Sequence, residues 1–216
     1  MQIFNLPKHT VVNKIIPKNA FDNYANTKQK KLFIENIEKI RWINKLSKET
    51  INLSGNEISE IQIFEIQLRK KERIEALLDL IDKSIPYHII FILWYKDEFF
   101  ISVSQKHPHV TNDNQAVIDW SFRSDWVLVE SSPYKLNLKG SLDDVLDDLC
   151  FQISGKQKMS ITELIQYEGE IKRLQNEATK LKSAIKKSKQ FNEKVELNLK
   201  LQEVNERLKS ANNRKL

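Results

Sequence analysis

The chain contains little cysteine and glycine, and it has no long hydrophobic run. Its single cysteine, Cys150, excludes an internal disulfide and is expected to be a buried structural residue. The four glycines are isolated, which excludes a Gly-rich nucleotide phosphate loop. No run approaches the roughly 18 apolar residues of a membrane span, and the first residues lack the pattern of a signal peptide. We therefore expect a cytoplasmic protein that does not hydrolyse nucleotides.

Apolar and aromatic residues are abundant enough to build a core. Hydrophobic residues make up 40% of the 216 residues and charged residues 30%, with ten Phe, five Tyr and four Trp. This composition is typical of a folded protein rather than of a disordered chain. The length suits one domain of about 100–150 residues with an extension.

The net charge of +6 is distributed unevenly along the chain. Residues 1–154 carry 20 Lys and Arg against 21 Asp and Glu, a net charge of −1, whereas residues 155–216 carry 15 against 8, a net charge of +7. A basic segment of this kind suits binding to nucleic acid or to an acidic protein. The alternative is a solvated helix whose lysines serve only solubility.

The basic segment has the apolar spacing of paired helices. One heptad seam runs through residues 164–185, but the apolar residues of 197–211 fall in a different phase. We interpret the break as a turn near Ser188 to Asn192 between two antiparallel helices, with Phe191 capping the tip. One long dimerising helix with a stutter remains the alternative. The predicted seam consists of Leu164, Tyr167, Ile171, Leu174, Ala178, Leu181 and Ile185, then Leu197, Leu201, Val204, Leu208 and Ala211.

Four lysines make the predicted tip the most basic part of the chain. They are Lys186, Lys187, Lys189 and Lys194, and they are our candidate residues for binding nucleic acid or a partner protein.

The preceding part of the chain alternates helical and strand patterns. We predict helices over 9–16, 27–46 (capped by Thr27), 73–85 and 141–153 (capped by Ser141), strands over 50–53, 60–69 and 116–122, a hairpin over 88–107 with its turn at Lys96 and Asp97, and a polar loop over 107–115. The pattern indicates an α+β fold, a mixed α/β sheet with helical cover, over residues 1–155. A C-terminal α-helical coiled-coil hairpin follows over residues 156–216.

Several segments in order resemble a bacterial domain-of-unknown-function family, number four-three-nine-one. They are FNLPKHTVVNKIIPKNAF (4–21), EKIRWINKLSKETINL (38–53), EIQIFEIQL (60–68) and KSKQFNEKVELNLKL (187–201). The resemblance covers nearly the whole chain. It implies a genomic neighbourhood of DEAD/DEAH-type helicases and DNA methyltransferases in restriction-like phage-defence loci. It implies no catalytic residue.

Glu65 and Gln67 are the candidate catalytic residues for a nuclease. They lie two residues apart on one face of a predicted strand, where restriction-type nucleases hold Mg²⁺ near the scissile phosphate with acidic residues and carry a lysine at the second position. Gln67 replaces the lysine, and Asn52 stands where a second carboxylate is expected, with Glu35 or Glu38 as substitutes only if the fold brings them near. A carboxylate paired with a basic neighbour is the simpler interpretation.

Other clusters indicate structure more than chemistry. His107 and His109 flank Pro108 without the cysteine partners or the His-Glu helix pair of a zinc site, and the aspartates of 143–148 lack the loop of an EF-hand calcium site. We predict no metal site and no cofactor. The expected protein is a non-catalytic accessory subunit of a restriction-like or anti-phage defence system, docking to a helicase or methyltransferase, or to DNA backbone, through the basic coiled coil. The alternative is a Mg²⁺-dependent DNA endonuclease, and self-association through the coiled coil is left open.

Overall fold

The structure is a computed structural model that describes residues 3–156 and 159–212. These residues form two compact units, one ending at Gly155 and the other beginning at Lys156. None of the described helices combines the length and the apolar character needed to cross a bilayer. The elements are β1 (Val11–Ile16), α1 (Thr27–Asn36), β2 (Ile37–Ser47), α2 (Lys48–Ile51), β3 (Glu60–Leu68), α3 (Glu75–Lys83), β4 (His88–Tyr95), β5 (Glu98–His109), β6 (Asn112–Arg123), β7 (Val127–Leu128), α4 (Leu142–Ser154), α5 (Ile161–Lys187) and α6 (Phe191–Asn212).

A mixed sheet is the framework of the first unit. Its strands lie in the order β1-β2-β3-β4-β5-β6, and β7 pairs with β5. Strands β3 and β4 are parallel, as the crossover through α3 requires, while the other pairs are antiparallel. The predicted α+β class is confirmed, as are the long strand near 60–69, the hairpin over 88–107 and the buried central position of β4.

The predicted single helix over 27–46 is wrong, because it is a helix followed by a strand. Asn26, and not Thr27, caps α1, and the chain then enters β2 at Ile37. A β-bulge between Ile37 and Lys39 lets Ile37 and Ile40, three residues apart, both be buried. A spacing of three is also that of a helical face, so the bulge imitates a helix in the sequence.

Three shorter predictions also fail. The segment 9–16 is mainly strand β1, and the segment 50–53 belongs to α2 and the turn after it, where Asn52 adopts a left-handed φ of 54°. The polar loop over 107–115 is the end of a long β5–β6 hairpin that turns at residues 110–111. In each case pairing with a neighbouring strand, or the local turn, outweighs the propensity of the isolated segment.

Helices cover the sheet and complete the core. On one face, Phe33 of α1 and Leu77 and Ile81 of α3 pack in one cluster with Phe64 and Phe91 of the central strands. Helix α4 begins at the predicted Ser141 cap, which accepts from the Asp144 backbone N–H. The predicted burial of Cys150 on α4 is confirmed, and burial raises the pKa of its thiol.

The second unit consists of α5 and α6, which pack against each other. Ser160 begins α5 as half of a capping box with Glu163, and the predicted break at 188–192 falls where α5 ends and α6 starts. Tyr167 near the start of α5 packs with Ala211 near the end of α6. A second cluster joins the middle of α5 to Val204, with Leu181 and Leu201 packed against it.

Candidate functional site

Glu65 lies in the middle of the sheet and is already paired. It stands opposite Arg41 of β2, whose Nε donates to Glu65 Oε1 at 3.0 Å and whose Nη2 is also bonded to it. The Glu65 side chain is only 12% exposed. Gln67 stands opposite Lys39 at the next position on the same face. The carboxylate that a metal would need is therefore neutralised by a guanidinium.

Among the described residues, no group of acids lies around Glu65 in an arrangement that could hold a metal ion. Within residues 3–156 and 159–212, no group of three His, Cys, Asp or Glu side chains is placed to hold a metal ion. Asn52 caps α2, and Glu35 forms an ion pair with Lys31 at 3.7 Å. His107 is bonded to Asp119 at 3.0 Å, across the β5–β6 hairpin. Cleavage by a metal ion at Glu65 would require Arg41 to leave and other ligands to arrive.

The aspartates of α4 have structural roles. Asp143 accepts hydrogen bonds from the backbone N–H groups of residues 56–58 at 2.6, 3.1 and 3.2 Å. Asp144 completes the helix cap, Asp147 accepts from Gln105, and Asp148 accepts from Gln152. Asp143 and Asp147 therefore hold α4 to its surroundings, whereas Asp144 and Asp148 bond within the α4 segment itself.

The four predicted lysines converge at the connection between α5 and α6. Lys186 and Lys187 end α5, Lys189 lies in the connection, and Lys194 is in the first turn of α6. All four are exposed. We call these residues the lysine cluster.

Beside the lysine cluster lies an apolar stripe that the sequence reasoning missed. Phe191, Val195 and Leu199 of α6 are 78%, 43% and 57% exposed. The predicted role of Phe191 as a cap over the tip is therefore wrong, because its ring lies in solvent. The signal was present in the spacing, since residues four apart share one helical face. Val195 and Leu199 lie where the register of the first heptad seam would continue, whereas the predicted seam of the second helix runs through Leu197, Leu201 and Val204.

Buried polar contacts near the start of β3 and the end of β5 were also missed. Lys106 Nζ donates to Asp82 Oδ1 at 2.7 Å, to the Asp82 carbonyl at 2.7 Å and to the Ile85 carbonyl at 2.8 Å. Nearby, Glu60 accepts from Lys45 at 2.8 Å and from Gln62 at 2.7 Å. Desolvation lowers the pKa of Lys106 and raises that of Asp82, and their mutual attraction opposes both shifts.

His88 begins β4 beside these contacts. Burial, reinforced by the positive charge of Lys106, lowers its pKa from 6.5 to about 4. Its Nε2 is buried, and no described residue forms a hydrogen bond with it. His88, Tyr87 and Lys106 line a cavity of about 470 Å³. The imidazole is therefore neutral at physiological pH.

Comparison with known proteins gives a family match. The family model described as "Domain of unknown function (DUF4391)" matches residues 4–208. No curated protein and no solved structure matches the chain. Because the match spans most of the chain, including β3 with Glu65 and the connection with the lysine cluster, the protein belongs to the DUF4391 family.

Proposed function

We propose that the protein is a non-catalytic accessory subunit that docks to an acidic partner through its second unit. The observation that carries the proposal is the convergence of four exposed lysines on one short connection. The net charge of +7 over residues 155–216 would reinforce attraction to an acidic surface. In this proposal α5 and α6 form an antiparallel coiled-coil hairpin, and the lysine cluster is its binding end.

The class of partner follows from the resemblance of the chain to proteins found beside helicases and methyltransferases. A helicase or DNA methyltransferase of a restriction-like or anti-phage defence system, in the bacterial cytoplasm, is therefore the proposed partner. The pairing of Glu65 with Arg41 supports a role without catalysis, since the carboxylate is occupied. A DNA backbone is the second candidate ligand, because it would also attract the lysine cluster.

Charge reversal tests the proposal. In the variant K186E/K187E/K189E/K194E, binding to a purified helicase or methyltransferase from the same genome should fall at least about tenfold, which is about 1.4 kcal/mol. The control variant K180E/K182E/K200E/K209E reverses the same number of exposed charges elsewhere on α5 and α6. Fluorescence anisotropy with each protein and with a labelled DNA duplex gives the affinities.

Three outcomes separate the candidates. The proposal is supported if the first variant loses binding to the helicase or methyltransferase while the control variant retains it. If the natural protein binds duplex DNA but neither the helicase nor the methyltransferase, and the first variant loses the DNA binding, the partner is DNA and not a protein. Equal binding of both variants to every ligand overturns the role of the lysine cluster.

A further inference from the structure

The apolar stripe runs along the side of α6 that lies away from α5. Phe191, Val195 and Leu199 follow each other by four residues, so each is rotated by about 40° from the last and the three span about 12 Å. The residues of α6 that pack on α5 include Leu201 and Val204, on the other side of the helix. The stripe is therefore not part of the contact between the two helices.

Three adjacent exposed apolar side chains indicate a surface that another molecule covers. Their burial is worth about 25 cal/mol for each Å² of apolar area removed from water. A stripe that winds by about 80° over two turns of α6 suits a second helix that crosses α6 at an angle, with its apolar anchors at positions three and four residues apart. The apolar face of a helix is therefore the surface that best fits the stripe.

The surrounding charges decide which helix fits. Lys186, Lys187 and Lys189 precede Phe191 at one end of the stripe, and Lys194 lies on its flank. Glu196 lies on the opposite flank, and Glu193, which accepts from Ser188 Oγ, is the one carboxylate among the four lysines, so the end near Phe191 keeps a net positive charge. A partner helix with acidic residues at that end would pair with the lysines while its apolar face covers the stripe.

Two other occupants fit less well. A second copy of the chain whose α6 ran parallel to the first would bring an identical lysine cluster towards the first, and like charges repel; an antiparallel second copy would separate the clusters, and a dimer seen in solution would favour it over the partner helix. A DNA backbone would neutralise the lysines, but its phosphates offer no apolar surface to the stripe.

We infer that the apolar stripe binds one amphipathic helix of the partner protein, with apolar residues along one face and acidic residues at the end that meets the lysine cluster. This inference rests on the proposed function and adds the chemistry of the contact. In this inference Phe191, Val195 and Leu199 supply most of the affinity for the partner helix, and the lysines set the direction in which that helix lies.

Designed peptides test the inference directly. Two labelled helical peptides carry the same leucines at positions i, i+4 and i+7. One has three glutamates at its amino end, and the other has the three glutamates at its carboxyl end. The full-length protein should bind one of them, with an affinity at least about tenfold weaker for F191S/V195S/L199S. The control I34S/V110S removes two exposed apolar side chains from the first unit, where they are 66% and 90% exposed. Circular dichroism checks that every variant is folded.

The outcomes distinguish this inference from the proposed function. Binding that is lost in the stripe variant and retained in the control supports the inference. If neither peptide binds, or if the stripe variant binds as well as the control, the inference is overturned. If the helicase or methyltransferase then still loses affinity on charge reversal, the proposed function stands without the stripe. If charge reversal also has no effect, both fail.

Discussion

Lys106 Nζ lies 2.7 Å from Asp82 Oδ1, and both side chains are almost completely buried. The pair joins the end of β5 to the end of α3, and two backbone carbonyls complete the coordination of the ammonium. A charge buried in this way is costly if its partner is removed, because the remaining ion loses both its solvation and its counter-charge.

The first prediction concerns this pair. Lys106→Met should lower the free energy of unfolding by about 3–5 kcal/mol, because Asp82 stays buried without a counter-charge. The double variant D82L/K106M should lose much less than the sum of the two single variants. Urea denaturation measures all three.

An exposed pair provides the control for that cycle. Lys71 and Glu98 lie 2.7 Å apart with side chains 41% and 30% exposed, so their removal should change stability by less than about 1 kcal/mol. Additive losses at Lys106 and Asp82 would show that the buried pair is not coupled.

The second prediction is a loss of stability in acid that depends on His88. Its pKa is about 4 in the folded protein against 6.5 ordinarily, so between these values the unfolded chain binds a proton that the folded chain does not. Stability should therefore fall as the pH is lowered from 6.5 to about 4, by up to about 3 kcal/mol from this residue.

Substitution isolates the contribution of His88. In His88→Gln, the change in unfolding free energy between pH 7 and pH 4 should be smaller than in the natural protein by about that amount. His107→Gln, at an exposed histidine, should retain the full slope. Identical slopes in all three proteins would contradict the prediction.

The third prediction concerns Asp147, which acts in the opposite direction. Desolvation raises its pKa from 3.8 to about 6, so the folded state binds the proton more tightly than the unfolded state does. The stability that this proton contributes is present below 3.8 and is lost as the pH rises through about 6.

At pH 7.5 the Asp147 carboxylate is charged and partly desolvated, so Asp147→Asn should raise stability. The gain should be about 1 kcal/mol, reduced by the solvent that reaches this half-buried group. In the natural protein Gln105 Nε2 donates to Asp147 Oδ1 at 2.7 Å, and the side-chain amide oxygen of the introduced asparagine can accept the same hydrogen bond. Asp148→Asn is the control, with no gain expected, and thermal unfolding at pH 4 and pH 7.5 gives both values.

The fourth prediction is that the protein alone does not cleave DNA. Arg41 neutralises Glu65, so plasmid DNA incubated with Mg²⁺ or Mn²⁺ should stay intact, and Arg41→Ala should not create cleavage. Gel electrophoresis, with a chelator as the control, gives the result. Cleavage that requires the metal and disappears in Glu65→Ala would instead establish the nuclease alternative.

The predictable parts of the fold are those in which local pattern and tertiary pairing agree. Helix α3 has a regular apolar face, β3 is rich in isoleucine, β4 is a continuous apolar run that ends at a turn, and α4 has a serine cap before it. Strand β2 could not be predicted, because its bulge brings Ile37 and Ile40 to a helical spacing. The bulge depends on pairing with β3, which lies more than 20 residues away in the sequence.

The candidate sites were predictable to different degrees. The lysine cluster is contiguous enough in sequence to be seen directly. The partner of Glu65 was not, because Arg41 stood within a segment assigned to a helix. Lys106 and Asp82 come from a strand and a helix 24 residues apart, and nothing local in either segment indicates that they meet.

The Asp143 carboxylate has a consequence for the order in which the chain folds. Its hydrogen bonds reach backbone groups 85–87 residues earlier, in the loop before β3. Contacts of such long range form late, since the intervening chain must first lose its freedom. During synthesis β2 and β3 therefore emerge long before Asp143, whose carboxylate accepts the hydrogen bonds from the loop that connects them. We expect the amide hydrogens of residues 56–58 to exchange rapidly with solvent until α4 is in place.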